Sequence, residues 1–369
     1  MDDRMFVIDP EQFSDKKLTL SMIADDISYI PLDNLFPIGL VYSIRLSNDA
    51  IYLSMKNIGI VQYDRYGNYV RTIAKKGRGP NEIRYGMNFA IDIKGNLIYV
   101  LDSGIKVYSM MGKLIREIET TNYISGTALN IEIFGSSLFL PDYGTFGEYK
   151  YDWIVLDTLG NMVSSKKTDL IFSKNTLPGT IYEYRNRLYY FNYLNDTIFS
   201  ISPNFDFRGA YRFSNGDFRL PQDGINLDLE SLQSLFKMSN MFETKKFVFL
   251  EYSYKEKWAM LIIDKEKHET FQGYSNKRSG HVSTEASIFN DLDEGLPLKG
   301  EPALVYYTDN SSEYIVAFIY PFELKLHVAS EAFKNSTPKY PEKKKELEQL
   351  ANSLDENDNP VLMLVKLKE

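Results

Sequence analysis

The chain has 369 residues, of which 44% are hydrophobic and 25% charged, with a formal net charge of -8. That composition supplies a globular core, and the acidic balance speaks against a nucleic-acid partner. With no cysteine there is no disulfide, thiol catalysis, Cys-ligated zinc or iron–sulfur cluster, and no run of about 18 apolar residues is present to span a membrane.

In chain order, MDDRMFVIDPEQ lacks the charged-then-apolar pattern of a secretory leader, and residues 1–17 read as an extension of a single domain over 18–369. DISYIPL (Asp26 to Leu32) reads as a strand. A repeat then begins, rich in the chain's 27 Tyr and 23 Phe, residue types that favour strands. IYLSM, LIYVLD, LFLPD, LYYFN and FVFLE start at Ile51, Leu97, Leu138, Leu188 and Phe247. Turn-like pairs precede them: Asn48-Asp49, Lys94-Gly95, Gly135-Ser136, Arg185-Asn186 and Thr244-Lys245. A second strand series follows each run, with Gly67, Gly112 and Gly160 in the turns of the first three. Taking Tyr63, Tyr108, Leu156, Ile201 and Ile263 as equivalent gives spacings of 45, 48, 45 and 62 residues.

Four strands per repeat of this length predict a β-propeller. Five units are explicit. The sixth takes PALVYYTDN (Pro302 to Asn310), EYIVAFIYPFELKL (Glu313 to Leu326) and PVLMLVKLK (Pro360 to Lys368), with DISYIPL from the other end closing the ring. The expected fold is thus all-β: a six-bladed propeller of four-stranded antiparallel blades, closed by strands from both termini. One amphipathic helix is inserted late, at about 341–357, with Leu347, Leu350 and Leu354 on one face.

YIPLDN (Tyr29 to Asn34), YDRYGNYVRTIAKKGRGPNEI (Tyr63 to Ile83), the blade repeat and LANSLDENDNPVL (Leu350 to Leu362) resemble the six-bladed β-propeller proteins of Bacteroidetes. The resemblance runs from about Leu18 to Lys368, and a G-x-G-P-x-E motif of that family falls on Gly77, Gly79, Pro80 and Glu82. Members are described as propeller or NHL-repeat-like proteins, often with a lipoprotein signal. The resemblance therefore implies export, to the periplasm or outer-membrane surface of a Gram-negative bacterium, although this chain has no lipid-acceptor Cys.

KKGRGPNEIRYG (Lys75 to Gly86) links one blade to the next. No Lys-Ser/Thr pair and no helix follows it, so it is not a phosphate loop. Either its glycines and proline set a tight path, or Arg78, Asn81, Glu82 and Arg84 line a ligand site. Long connections concentrate on this link face, which points to binding there. The surplus segment Gln272 to Gly300 carries Arg278, His281 and the acids Asp291, Asp293 and Glu294. His268, His281 and His327 show no metal-ligand spacing. Asp102, Asp142, Asn192 and Glu251 end second strands at the link face. They cap strand ends, or they form a ring that binds calcium or supplies acid/base pairs. Tyr143, Tyr193, Tyr252 and Trp258 stand near the same loops and either stack on a ligand or pack between blades.

The reading is a monomeric, non-enzymatic binding protein for a glycan, peptide or protein, with Arg78, Glu82, Arg84, Tyr143 and Trp258 as contacts and no cofactor. The alternative is a metal-assisted, calcium-type hydrolase or lyase with Asp102, Asp142 and Glu251 as ligands. A docking role for the late helix is a third, weaker idea.

Overall fold

The outer hairpin turns show how the repeat becomes a ring. In a computed structural model describing residues 6–14, 16–120, 123, 130–141, 151–167, 180–191, 196–214, 216, 218, 234–255, 257–275, 287–299, 305–309 and 312–369, Asp64 Oδ1 accepts the Tyr66 and Asn68 amides at 2.8 and 2.9 Å. Asp157 does the same for Leu159 and Asn161. Gly67 in the first of these turns has φ +87°, and a Cβ there would sit 2.0 Å from the carbonyl oxygen of Pro31 in the neighbouring blade. Glycine is needed twice at this position, for the backbone conformation and for the close approach of the next sheet.

Six antiparallel four-stranded sheets follow. Blade one comprises Val41–Leu46, Ala50–Met55, Gly59–Asp64 and Tyr69–Lys75; blade two Phe89–Asp92, Leu97–Leu101, Ile105–Ser109 and Leu114–Ile118. Blade three comprises Glu132–Phe134, Ser137–Pro141, Tyr151–Asp157 and Met162–Lys167; blade four Thr180–Tyr184, Arg187–Phe191, Thr197–Ile201 and Phe207–Phe213. Blade five comprises Lys237–Glu243, Phe247–Tyr254, Lys257–Asp264 and Thr270–Ser275; blade six Val305–Asp309, Ser312–Ile319 and Val361–Leu367, with Ala24–Pro31 outermost. Ala24–Pro31 pairs antiparallel with Val361–Leu367, so strands from the two ends of the chain close the ring as the sequence predicts. The first strands of neighbouring blades pack against each other around the central channel.

The core lies between blades. Buried Trp153 of blade three stacks on Phe139 and meets Tyr190 of blade four edge-on at 5.1 Å. Phe242 of blade five stacks on Phe249 at 4.5 Å and on Tyr306 of blade six at 5.6 Å. Many of the tyrosines and phenylalanines that signal strands are spent in this core.

Three details differ from the sequence reading. EYIVAFIYPFELKL is not one strand: the strand ends at Ile319, and Pro321–Ala329 is an α-helix that buries Leu324 and Val328 one turn apart. Pro321 at the first helical position and Glu323 in the first turn are start signals that outweigh the apolar run. The late helix is real as Pro341–Ser353, burying Leu347 and Ala351, but Glu331–Asn335 and Pro321–Ala329 accompany it. The turn assigned to Thr244-Lys245 is shifted by one residue, since the Thr244 amide bonds the Phe247 carbonyl and leaves Lys245 and Lys246 as the loop.

The segment before Ala24 straps the outside of the ring. Phe6–Ile8 lies parallel on the outer strand of blade four, with Phe6 opposite Tyr211 and Ile8 opposite Phe213. The Lys16 carbonyl then accepts the Gln272 amide on blade five at 3.0 Å, and the Leu20 amide bonds Phe289 O at 2.9 Å. Part of the surplus segment after blade five is also ordered: Ser287–Ile288 pairs with Leu298–Lys299. Two of its acids are tied down by their carboxylates. Asp291 accepts the Ser21 amide, and Asp293 accepts Tyr29 Oη at 2.7 Å and Asn290 Nδ2 at 2.6 Å. Glu294 offers its carbonyl to His327 Nε2. Arg278 and His281 lie outside the described residues.

Candidate functional site

The two ends of the blades differ in what they carry. On the turn face, connections within blades have two to five residues. On the link face stand Lys76 to Asn88, the connection holding the glycines, and every longer connection, including the one that holds the three late helices.

The glycine loop is fixed by side chains beneath it. Glu82 Oε2 accepts the Gly79 amide at 2.8 Å, and a Cβ on Gly77 would lie 1.8 Å from that same oxygen. Gly77 is therefore the space into which the Glu82 carboxylate folds. Asp102 Oδ1 accepts the Arg84 and Tyr85 amides at 2.9 and 2.7 Å. Lys106 Nζ donates to Glu82 O at 2.6 Å and lies 3.8 Å from Asp102 Oδ2. Tyr108 Oη donates to Asn81 O at 3.0 Å, and burial, helped by the Asp102 charge, pushes its pKa up to about 12, so it stays a donor. Above this base Arg78, Asn81, Arg84, Tyr85 and Met87 face solvent, the last two 56% and 48% exposed. No ion pair engages either guanidinium among the described residues.

Of the residues picked from sequence, the structure brings Arg78, Glu82, Arg84 and Asp102 together. It sets Glu251 and Trp258 in blade five, across the ring. The ladders also separate the two carboxylates by height. Leu97 pairs with Ser109 and Phe247 with Asp264, each at an outer turn. Counted from these pairs, Glu251 is level with Leu101, and Tyr252 is level with Asp102. Because successive strand residues point to opposite faces, Asp102 and Glu251 face opposite ways around the ring. Apolar-run ends in the sequence conceal this offset of one residue.

Glu251 is half-buried beside Asn240 of the first strand, and its Oε1, shielded from solvent, has no hydrogen-bond partner. Burial pushes its pKa up to about 7, with Asn240 opposing. Trp258 is half-buried against the core of its blade, and Tyr252 Oη donates to Gln272 Oε1 at 2.8 Å between packed aromatic rings. Asp142, Tyr143, Asn192 and Tyr193 lie outside the described residues. Among the described residues, no three His, Asp or Glu side chains are grouped to hold a metal ion.

Two features were not legible in the sequence. In the channel, Arg45 Nη2 of blade one bonds Glu132 Oε1 of blade three at 2.6 Å, an ion pair between first strands of blades that are not neighbours. Burial raises the Glu132 pKa against the opposing Arg45 charge; burial and then Glu132 raise that of Glu183 in blade four. These residues carry no motif, and only ring closure brings them together. The second feature is a groove of about 260 Å³ on the link-face rim of blade two, lined by Ser103, Gly104, Ile105, Lys106, Glu117, Ile118 and Glu119.

With this geometry in view, the chain belongs to the family described as "Domain of unknown function (DUF4934)", whose model matches residues 5–366. A structure of a Bacteroides fragilis protein whose description proposes export is 18% identical, with a TM-score of 0.72 over 98% of this chain and 100% of that one. A DUF4221-family member from Bacteroides vulgatus is 14% identical, with a TM-score of 0.50 over 94% and 97% of the two chains. At these identities the likeness concerns the fold. No curated protein matches. Among the described residues no helix is long and apolar enough to cross a membrane.

Proposed function

We propose that the protein is a non-enzymatic recognition module that binds an acidic peptide or protein through the link face of blades one and two. The observation that carries this reading is the bolted glycine loop, which holds Arg78, Arg84, Tyr85 and Met87 in solvent on a backbone pinned by Glu82, Asp102 and Lys106. Arg and Tyr dominate binding hot spots, and a preorganised loop loses little entropy when a partner arrives. Two unpaired guanidiniums select carboxylates. An exported location suits such a module, and the similar Bacteroides fragilis protein described that way supports it.

The test is a panel of acidic, neutral and basic peptides and acidic glycans, scored for the parent chain and for Arg78→Ala, Arg84→Ala and Tyr85→Ala. Each variant should weaken acidic-peptide binding by about 1–2 kcal/mol, roughly five- to thirtyfold, without changing the melting temperature. Undiminished binding by the triple variant sinks the reading. Binding confined to glycans would reassign the ligand class.

The metal-assisted hydrolase or lyase is a second reading that rests on Glu251 alone, a half-buried carboxyl able to hold a proton near neutral pH. It requires a further carboxylate converging on Glu251 within about 5–9 Å.

A further inference from the structure

Blades four and five have their outer strands covered by the chain's own leading segment. On blade four, Phe6–Ile8 lies on Tyr211, Arg212 and Phe213, and Ile8 O accepts the Ser214 amide at 2.9 Å. On blade five, Lys17 bridges Gln272 in the same parallel sense. Each outer turn begins at the end of the third strand: at Ser109 in blade two, Ser202 in blade four and Asp264 in blade five. Counting back from these, Ile198 and Thr197, the ladder partners of Tyr211 and Arg212, are level with Ile105 and Gly104 of blade two. Leu261, the partner of Gln272, is level with Lys106. The groove of blade two is lined by those same residues, Gly104, Ile105 and Lys106, and by Glu117, Ile118 and Glu119 on the outer strand and just beyond it. The groove of blade two thus lies at the height at which the strap lies on blades four and five, and among the described residues no strand pairs with Leu114–Ile118 from outside.

We infer that this rim is a second binding site, which takes an extended segment of a partner protein as an added parallel strand carrying a basic residue. A bare strand edge offers unpaired amides and carbonyls to such a segment. The strap shows that this molecule's blades accept one in that orientation. A bulge at Ile115, between Leu114 and Arg116, blocks pairing near the outer turn and leaves the edge from Arg116 onward for the incoming chain. The charge argues for a basic residue. Glu117 is 54% exposed and only 3.5 Å from Lys106 Nζ, while Glu119 is exposed and has no ion-pair partner among the described residues. The inference concerns the rim and goes beyond the link-face reading, since it needs neither Arg78 nor Arg84.

The probe is a synthetic peptide, acetyl-Lys-Phe-Val-Ile-Lys-amide, which copies Phe6–Ile8 between two lysines. Hydrogen exchange of the whole chain is followed by mass spectrometry with and without it. At millimolar peptide, the segment from Arg116 to Thr120 should exchange about tenfold more slowly. The protection should vanish in Glu119→Pro, which removes a backbone amide of this edge at the position equivalent to Arg212. It should fall severalfold in Glu117→Gln/Glu119→Gln, a variant that keeps the backbone intact should the proline disturb folding, and should persist in Arg78→Ala/Arg84→Ala. Unchanged exchange at Arg116 to Thr120 overturns the inference. So does protection that appears only at Tyr211 to Phe213, which would mean the peptide had displaced the strap. Loss of acidic-peptide binding in the arginine variants, with rim protection intact, separates this site from the link-face one.

Discussion

Asp102 follows the second strand of blade two and Glu251 lies within that of blade five, and these two carboxylates meet opposite fates. In blade two, Asp102 accepts two amides and faces Lys106, so its charge is spent on holding the glycine loop. In blade five, Glu251 sits one ladder position lower, half-buried, with a shielded oxygen that nothing answers. The same residue class in similar sequence surroundings is a bolt in one blade and a source of instability in the other. Register makes the difference, because one residue along a strand turns a side chain to the other face of the sheet.

Breaking the bolt should have the largest effect. Asp102→Ala leaves the Arg84 and Tyr85 amides without their acceptor and removes a carboxylate 3.8 Å from Lys106 Nζ, at a cost of about 3–4 kcal/mol. Asp102→Asn keeps an acceptor oxygen and should lose about half as much. Urea denaturation of both variants checks this, and equal losses would mean that charge, not the amide bonds, holds the loop.

Glu251 should act in the reverse sense and only at higher pH. Its folded-state pKa, about 7, lies above the ordinary 4.5, so the fold holds the proton more tightly than the unfolded chain does. The associated stability is complete below about pH 4.5 and is lost as pH rises through about 7, reaching a loss of about 3 kcal/mol by pH 8. Glu251→Gln should therefore match the parent at low pH and exceed it at pH 8. A parent and variant that lose stability in parallel between those pH values would show that Glu251 is solvated or paired.

The smallest effect separates the two blades as metal ligands. With Asp102 committed to amides and Glu251 across the ring, millimolar calcium should leave the melting temperature unchanged. A rise of several degrees, abolished by Glu251→Gln, would bring the metal-assisted reading forward and make Asp142 the next residue to locate.

The proposed binding surface is partly visible in the sequence. Arg78, Glu82, Arg84 and Asp102 were named from loop position and strand ends, and they do meet. Their division of labour was not visible, because which side chain faces solvent depends on hydrogen bonds between segments some twenty residues apart. Tyr85 and Met87, beside them, carried no signal beyond lying in the loop. Pro321–Ala329 reads as a strand in the sequence because its apolar residues suit a strand as well as a helix, although Pro321 and Glu323 signal a helix start.

By itself the sequence determined the four-strand period, the outer turns around Gly67, Gly112 and Gly160, and closure of the ring by Ala24–Pro31 against Val361–Leu367. These follow from alternation and turn chemistry, which act over a few residues and are written locally. The tertiary structure alone decided the Arg45–Glu132 pair across the channel, the strap on blades four and five and the bare rim of blade two. Those depend on which distant segments share a height around the axis, a quantity set by summed registers and packing of all six blades rather than by any one stretch of chain.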